Sequence, residues 1–230
     1  MEKLQVIGAK KLKGNIKISG SKNSTLPILA ATILANKIKL TNVPLVKDIF
    51  TMVKLLKFIG LKINIKKKNN IIEIYNSKSK VRTLAPYQLV KTMRAGVLVL
   101  GPLLTKYKKA KISLPGGCAI GTRPVDLHLF ALKKLGAKIK IKNGYIIAEA
   151  KNGLKGTSIV FPSVSVGATE NAILAAFKAK GQTTLHNCAI EPEILDLISL
   201  LNKLGGKIRV FGRKILITEC KKIKKKITHK

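Results

Sequence analysis

The sequence predicts an α+β domain built from three copies of one βαβαββ-type unit, with sheets outside and apolar helices packed together inside. Three observations predict it. A helix-glycine-strand signature recurs three times, an apolar helix stands upstream of each copy, and 46% of the 230 residues are apolar despite a formal charge of +35. So apolar a chain buries a core and is no disordered basic tail.

The repeat is read first at its glycines. Leu55-Leu56-Lys57-Phe58-Ile59-Gly60 matches Ala131-Leu132-Lys133-Lys134-Leu135-Gly136, and both match Leu200-Leu201-Asn202-Lys203-Leu204-Gly205. Each run is an amphipathic helix stopped by a glycine that can take positive φ, and an alternating strand follows. A second strand comes next, at residues 71–75, 145–149 and 214–218. Before each amphipathic helix lies a short strand, at residues 38–40, 112–114 and 183–185. Before that strand lies a helix apolar on most faces, at residues 24–35, 90–104 and 167–178, which belongs at the centre. Gly101-Pro102 should kink or stop the middle one. Asp48, Asp126 and Asp196, the only aspartates, precede the repeat glycines by a similar distance, and helix capping suffices for Asp48 and Asp196. Residues 1–20 read as a leftover strand or two, residues 21–220 as the domain, and residues 221–230 as a basic tail that frays.

Composition excludes several functions. The five arginines, Arg82, Arg94, Arg123, Arg209 and Arg213, are outnumbered by 40 lysines, aromatics make up 4%, and tryptophan is absent. Nucleic-acid readers favour the planar guanidinium and stacking rings, so the charge reads as lysine drift on solvated positions, with no specific nucleic-acid partner. The apolar stretches are too short to span a bilayer, the first residues lack a signal core, and a cytoplasmic chain with no membrane partner is expected. Cys118, Cys188 and Cys220 form no CxxC pair, and His128, His186 and His229 have no ligand spacing, so neither disulfide framework nor metal nor cofactor is expected.

Four segments exceed what the repeat needs. Gly20-Ser21-Lys22-Asn23 precedes a helix, where free N–H groups and a lysine favour an anion, although Ser21 or Asn23 as a plain cap explains it too. Lys91-Thr92-Met93-Arg94-Ala95 sets a guanidinium among apolar residues, in a chain that elsewhere replaces arginine with lysine. Pro115-Gly116-Gly117-Cys118-Ala119-Ile120-Gly121-Thr122-Arg123-Pro124 reads as a glycine-rich flap bearing a thiol beside a cation, suited to proton transfer or attack. Ser163-Val164-Ser165-Val166-Gly167-Ala168-Thr169 offers hydroxyls and backbone donors at another helix start. Cys188 and Cys220, at strand ends, read as inert.

In order and spacing these segments, with Val125-Asp126-Leu127-His128, closely resemble the UDP-N-acetylglucosamine 1-carboxyvinyltransferase family. The shikimate-pathway enolpyruvyl synthases share the fold and lack the cysteine loop. The resemblance implies the enolpyruvyl transferase fold, an inside-out α/β barrel, and transfer of the enolpyruvyl group of phosphoenolpyruvate to the 3-hydroxyl of UDP-N-acetylglucosamine, releasing phosphate, in peptidoglycan synthesis. It implies Cys118 as the general acid, alkylated by fosfomycin. Lys22 and Asn23 would hold phosphoenolpyruvate, and Arg94 the sugar. Arg123, Pro124, Val125, Asp126 and Leu127, with Ser163, Val164, Ser165 and Val166, would line the uridine side. Ser163 stands where the family often has lysine, and Ile190 where arginine usually precedes Glu191-Pro192-Glu193. The family is about twice this long, and its second domain supplies an aspartate for the sugar hydroxyl and further arginines. The expectation is therefore a truncated or split transferase that needs a second chain, residues 1–20 belonging with the absent domain. An inactive substrate-binding remnant and a basic nucleic-acid-associated protein are the alternatives.

Overall fold

The computed structural model describes residues 3–8, 11–76, 81–91, 93–115 and 125–230. The first unit holds α1 (Lys22–Ala31), β1 (Lys37–Leu40), α2 (Lys47–Ile59), β2 (Lys62–Lys66) and β3 (Ile71–Tyr75). The second holds β4 (Leu84–Ala85), α3 (Tyr87–Val90), a 3-10 segment Arg94–Val99, α4 (Leu100–Tyr107), β5 (Lys109–Ser113), α5 (Asp126–Lys134), β6 (Lys138–Lys142) and β7 (Tyr145–Glu149). The third holds β8 (Ser158–Val160), α6 (Val166–Ala176), β9 (Gln182–His186), α7 (Pro192–Lys203), β10 (Lys207–Phe211) and β11 (Lys214–Thr218), and β12 (Lys226–His229) comes last.

Units two and three each form a four-stranded sheet, in the orders β6-β7-β5-β4 and β10-β11-β9-β8, and β12 completes the three strands of the first unit in the order β2-β3-β1-β12. The final two strands of a unit form an antiparallel hairpin that pairs with the strand before the amphipathic helix. Along β1, Lys37-Ile38-Lys39-Leu40, a pleat of period two buries Ile38 and Leu40 against the helices and leaves the two lysines partly exposed. The helices that open the units are inward on almost every side: residues 25–31 of α1 and 168–176 of α6 are all buried. Gly60, Gly136 and Gly205 end the amphipathic helices at φ of 121°, 96° and 111°, the left-handed stop expected of them. The α+β architecture of three units, with sheets outside and apolar helices inside, is as the sequence predicts.

Three local expectations are corrected. The helix expected over residues 90–104 is broken into α3, the 3-10 segment and α4, and the break falls at extended Met93 (φ −137°). Gly101-Pro102 does not end it. Pro102 lies in the first turn of α4, where a missing N–H costs no intrahelical bond. Second, the tail does not fray over its whole length. In units two and three the first strand runs parallel to the strand after the apolar helix, and β12 takes that place beside β1, with Ile38 opposite Ile227 and Leu40 opposite His229. Its inward residues Ile227 and His229 are buried, a period of two that the lysine count hides. Third, the described residues before Lys22 form no strand, and Leu4, Val6, Ile7, Leu12, Ile16 and Ile18 lie exposed.

Candidate active site

Side-chain bonds fix how the helices run. Gly101 N–H donates to Asn171 Oδ1 (2.8 Å), and one turn later Thr105 donates to the Ala175 carbonyl (2.8 Å), so α4 and α6 are parallel. Lys106, at the end of α4, donates to the Ile33 carbonyl just past α1 (2.6 Å), bringing those two ends together. His128 on α5 meets Asn171 Nδ2 at 3.1 Å and lies against Gly167, so α5 and α6 start side by side. Helix starts from all three units therefore gather at one end of the domain, where unpaired N–H groups and the helix dipoles favour anions.

At the start of α1, Gly20 is fitted by necessity, because a Cβ there would lie 2.0 Å from the Asn42 carbonyl oxygen. Ser21 caps the helix, accepting from Ser24 N–H at 3.3 Å, which settles which of the two candidates caps. Lys22 pairs with Asp48, in the first turn of α2, at 3.0 Å. Both partners are substantially exposed, so the contact is weak and exchangeable. Asn23 is exposed beside them.

Arg94 opens the 3-10 segment, exposed on the same end, and its charge reaches His128. Val125 is buried and leads into α5, with Asp126 exposed in the first turn and Leu127 half-buried. Ser163 and Val164 are exposed, and Ser165 caps α6, accepting from Ala168 N–H at 3.4 Å, with Val166 as first helical residue. Cys118, Arg123 and Pro124 lie outside the described residues. The structure thus gathers the start of α1, Arg94, the start of α5 and the start of α6. Asp196 is not a cap: it lies beyond the first turn of α7 and binds His229 Nε2 at 2.7 Å. Cys188 and Cys220 are buried, and burial raises both thiols, Cys188 to about 12, in keeping with inert sulfur.

Three functional-end residues escaped the sequence reading. His128 is buried, and burial together with the Arg94 charge lowers it to about 4, leaving a neutral ring. Asn171 Nδ2 donates to the Val97 carbonyl (3.1 Å) and faces His128 Nδ1, so that ring nitrogen accepts and the proton sits on Nε2. Glu170 is buried, and burial, then the charges of Glu193 and Glu191, raises its carboxyl to about 8. The available signal was polarity inside an apolar helix: Thr169-Glu170-Asn171 interrupts an alanine-rich run. Among the described residues no group of three or more His, Cys, Asp or Glu is arranged to hold a metal, and no helix is long and apolar enough to cross a membrane.

Comparison with known proteins follows from this geometry. The family model described as EPSP synthase (3-phosphoshikimate 1-carboxyvinyltransferase) matches residues 6–230. The UDP-N-acetylglucosamine 1-carboxyvinyltransferase of Pelagibacter ubique is 64% identical over 210 residues, covering 91% of this chain and 50% of that protein. Those of Endomicrobium trichonymphae (54%, covering 93% and 51%) and Rickettsia akari (51%, covering 100% and 55%) are similar too. The chain spans about half the length of these relatives and matches their amino-terminal half. Among solved structures, the enolpyruvyl transferase NikO from Streptomyces tendae superposes with a TM-score of 0.77 at 18% identity, covering 96% of this chain and 53% of that one. EPSP synthase from Acinetobacter baumannii gives 0.74 at 18% identity, covering 96% and 51%.

Proposed function

Because the chain belongs to the EPSP synthase (3-phosphoshikimate 1-carboxyvinyltransferase) family, we propose that it comprises the amino-terminal half of a UDP-N-acetylglucosamine 1-carboxyvinyltransferase, the carboxy-terminal half of which closes the cleft. One observation carries the reading. The helix starts that gather at one end bear Lys22 and Asn23, Arg94, Asp126, and Ser165 with Val166, in a chain 64% identical to a relative of that name.

In this reading Cys118 gives its proton to the methylene carbon of phosphoenolpyruvate, and positive character grows at the neighbouring carbon. The 3-hydroxyl oxygen of UDP-N-acetylglucosamine bonds there, its proton passing to a base on the carboxy-terminal half, to give a tetrahedral adduct. Departure of phosphate, with return of a methyl proton to the thiolate, leaves the enol ether. Lys22, Asn23 and the α1 N–H groups hold the donor's phosphate and carboxylate, and their charge is worth most once the cleft excludes water. Asp48 hands Lys22 to the incoming anion, the ion pair at 3.0 Å being its resting state. Arg94, Asp126 and residues 163–166 seat the nucleotide sugar. The segment before Lys22, in which Leu4, Val6, Ile7, Leu12, Ile16 and Ile18 lie exposed, packs with the carboxy-terminal half. The site of action is the cytoplasm, where both substrates are found.

Phosphate release from phosphoenolpyruvate plus UDP-N-acetylglucosamine, measured with a complementary carboxy-terminal half added, tests the proposal. Release that disappears in Cys118→Ser is expected. Equal release in that variant removes the proposed acid.

A further inference from the structure

We propose that Asp196 and His229 are positioning residues that hold the start of α1, with Lys22 and Asn23, in register for the donor anion. The proposal rests on reading Lys22 and Asn23 as phosphoenolpyruvate ligands.

The observations lie in one cavity of about 350 Å³ at the foot of α1, lined by Gly20, Ser21, Ser24, Asn42, Asp196 and His229 among others. Four separate stretches of chain meet there: the start of α1, residues 40–43, α7 and β12. Asp196 Oδ1 takes the Nε2 proton of His229 at 2.7 Å, and Lys203 Nζ approaches His229 Nδ1 at 3.3 Å. An ammonium can only donate, so Nδ1 accepts and the ring proton is committed to Asp196. The imidazole is 3% exposed, hence fixed in orientation. Burial raises the Asp196 carboxyl, but the bond and charge of His229, the Ser24 hydroxyl and Lys203 outweigh it and hold the group below its ordinary value. Ser24 belongs to the first turn of α1, one residue past Asn23.

A second route links the same histidine to the same helix start. The His229 carbonyl accepts from Thr41 N–H (2.9 Å) and from the Thr41 hydroxyl (3.3 Å). The next carbonyl, that of Asn42, is the atom that allows only glycine at position 20. Asp196, which lines the same cavity as Ser24, and the β12 backbone through Thr41, Asn42 and Gly20 therefore flank the α1 start from two sides. A helix start aimed at an anion loses much when displaced by even about 1 Å. Among the described residues the bonds of this arrangement join residues 41 and 42, α7 and β12 to the start of α1, so its effect falls on the donor side.

The test uses the full chain. Donor affinity is titrated with phosphoenolpyruvate under saturating UDP-N-acetylglucosamine, acceptor affinity with UDP-N-acetylglucosamine alone, and amide hydrogen exchange is followed at Ser24 and Thr25. Asp196→Ala and Ser24→Ala should each weaken donor binding about tenfold and leave acceptor binding within twofold, with faster exchange at both amides. Asp196→Asn, whose amide oxygen can still accept from His229 Nε2, should recover part of the loss. Unchanged donor affinity in folded Asp196→Ala, or equal losses of donor and acceptor, overturns the proposal. If the wild-type chain binds neither ligand, the proposed function fails on its own, and exchange still decides: unaltered rates at Ser24 and Thr25 in Asp196→Ala sink the positioning role, and accelerated rates uphold it.

Discussion

Glu170 is the residue whose chemistry departs furthest from what its position on an alanine-rich helix suggests. A carboxyl held at about 8 is protonated at neutral pH, so the native state binds a proton that the unfolded state gives up above its ordinary value near 4.5. Its contribution is complete below pH 4.5 and is lost as pH rises through about 8. Glu170→Gln should therefore cost little at pH 5 and be more stable than wild type at pH 9, the swing being on the order of 3 kcal/mol. Urea melts at the two pH values check this, and a constant difference between them would contradict it. His128 works in the opposite direction. Its lowered value penalises the native state as pH falls below about 6.5, where the unfolded ring takes up a proton. The ¹⁵N shifts of its ring should report a neutral Nε2–H form at pH 6, and a titration near 6.5 would show that burial and the Arg94 charge do not control it. At Lys22 the expectation is electrostatic: Asp48→Asn should tighten phosphoenolpyruvate binding a few-fold at low salt, the gain fading as salt rises.

Among the elements, α4 and α6 approach so closely that one glycine decides their contact. A Cβ on Gly101 would lie 2.5 Å from Asn171 Oδ1 and 2.7 Å from the Asn171 carbonyl oxygen, neither of which can withdraw without breaking its bond. Gly101→Ala should cost about 2–4 kcal/mol in a denaturation series, despite alanine's better helix propensity. Strand β12 gives a sharper contrast. Ile227→Asp should cost about 2–3 kcal/mol and its neighbour Thr228→Lys almost nothing, because one faces the core and the other water. Similar effects at both sites would mean that residues 226–229 do not pair with β1.

Across the whole molecule, what could be read from the sequence was whatever repeats. Three glycine-stopped helices and the strands 71–75, 145–149 and 214–218 appear where periodicity put them, since each is set by local pattern and a local stop. What escaped was set by distant partners. The strand character of residues 226–229 depends on an edge of β1 nearly two hundred residues away, and the His229–Asp196 bond only exists once that strand docks. The break at Met93 reflects the fit of the middle helix beside its neighbours, which no periodicity reports. Of the candidate site, the segments at α1, Arg94, α5 and α6 were legible as motifs. The neutral His128, the Asn171 hub and the raised Glu170 were not, because their state is created by burial at the meeting of three helices.

At this same scale the central claim is that these residues work as the amino-terminal half of a transferase whose cleft a carboxy-terminal half closes. The most direct measurement mixes this chain with a separately purified carboxy-terminal half of a UDP-N-acetylglucosamine 1-carboxyvinyltransferase and follows phosphate release from both substrates. Turnover that needs both polypeptides, and that vanishes when Cys118 is replaced by serine, is the predicted result. Absence of turnover in the mixture, together with no affinity of this chain for UDP-N-acetylglucosamine, would contradict it.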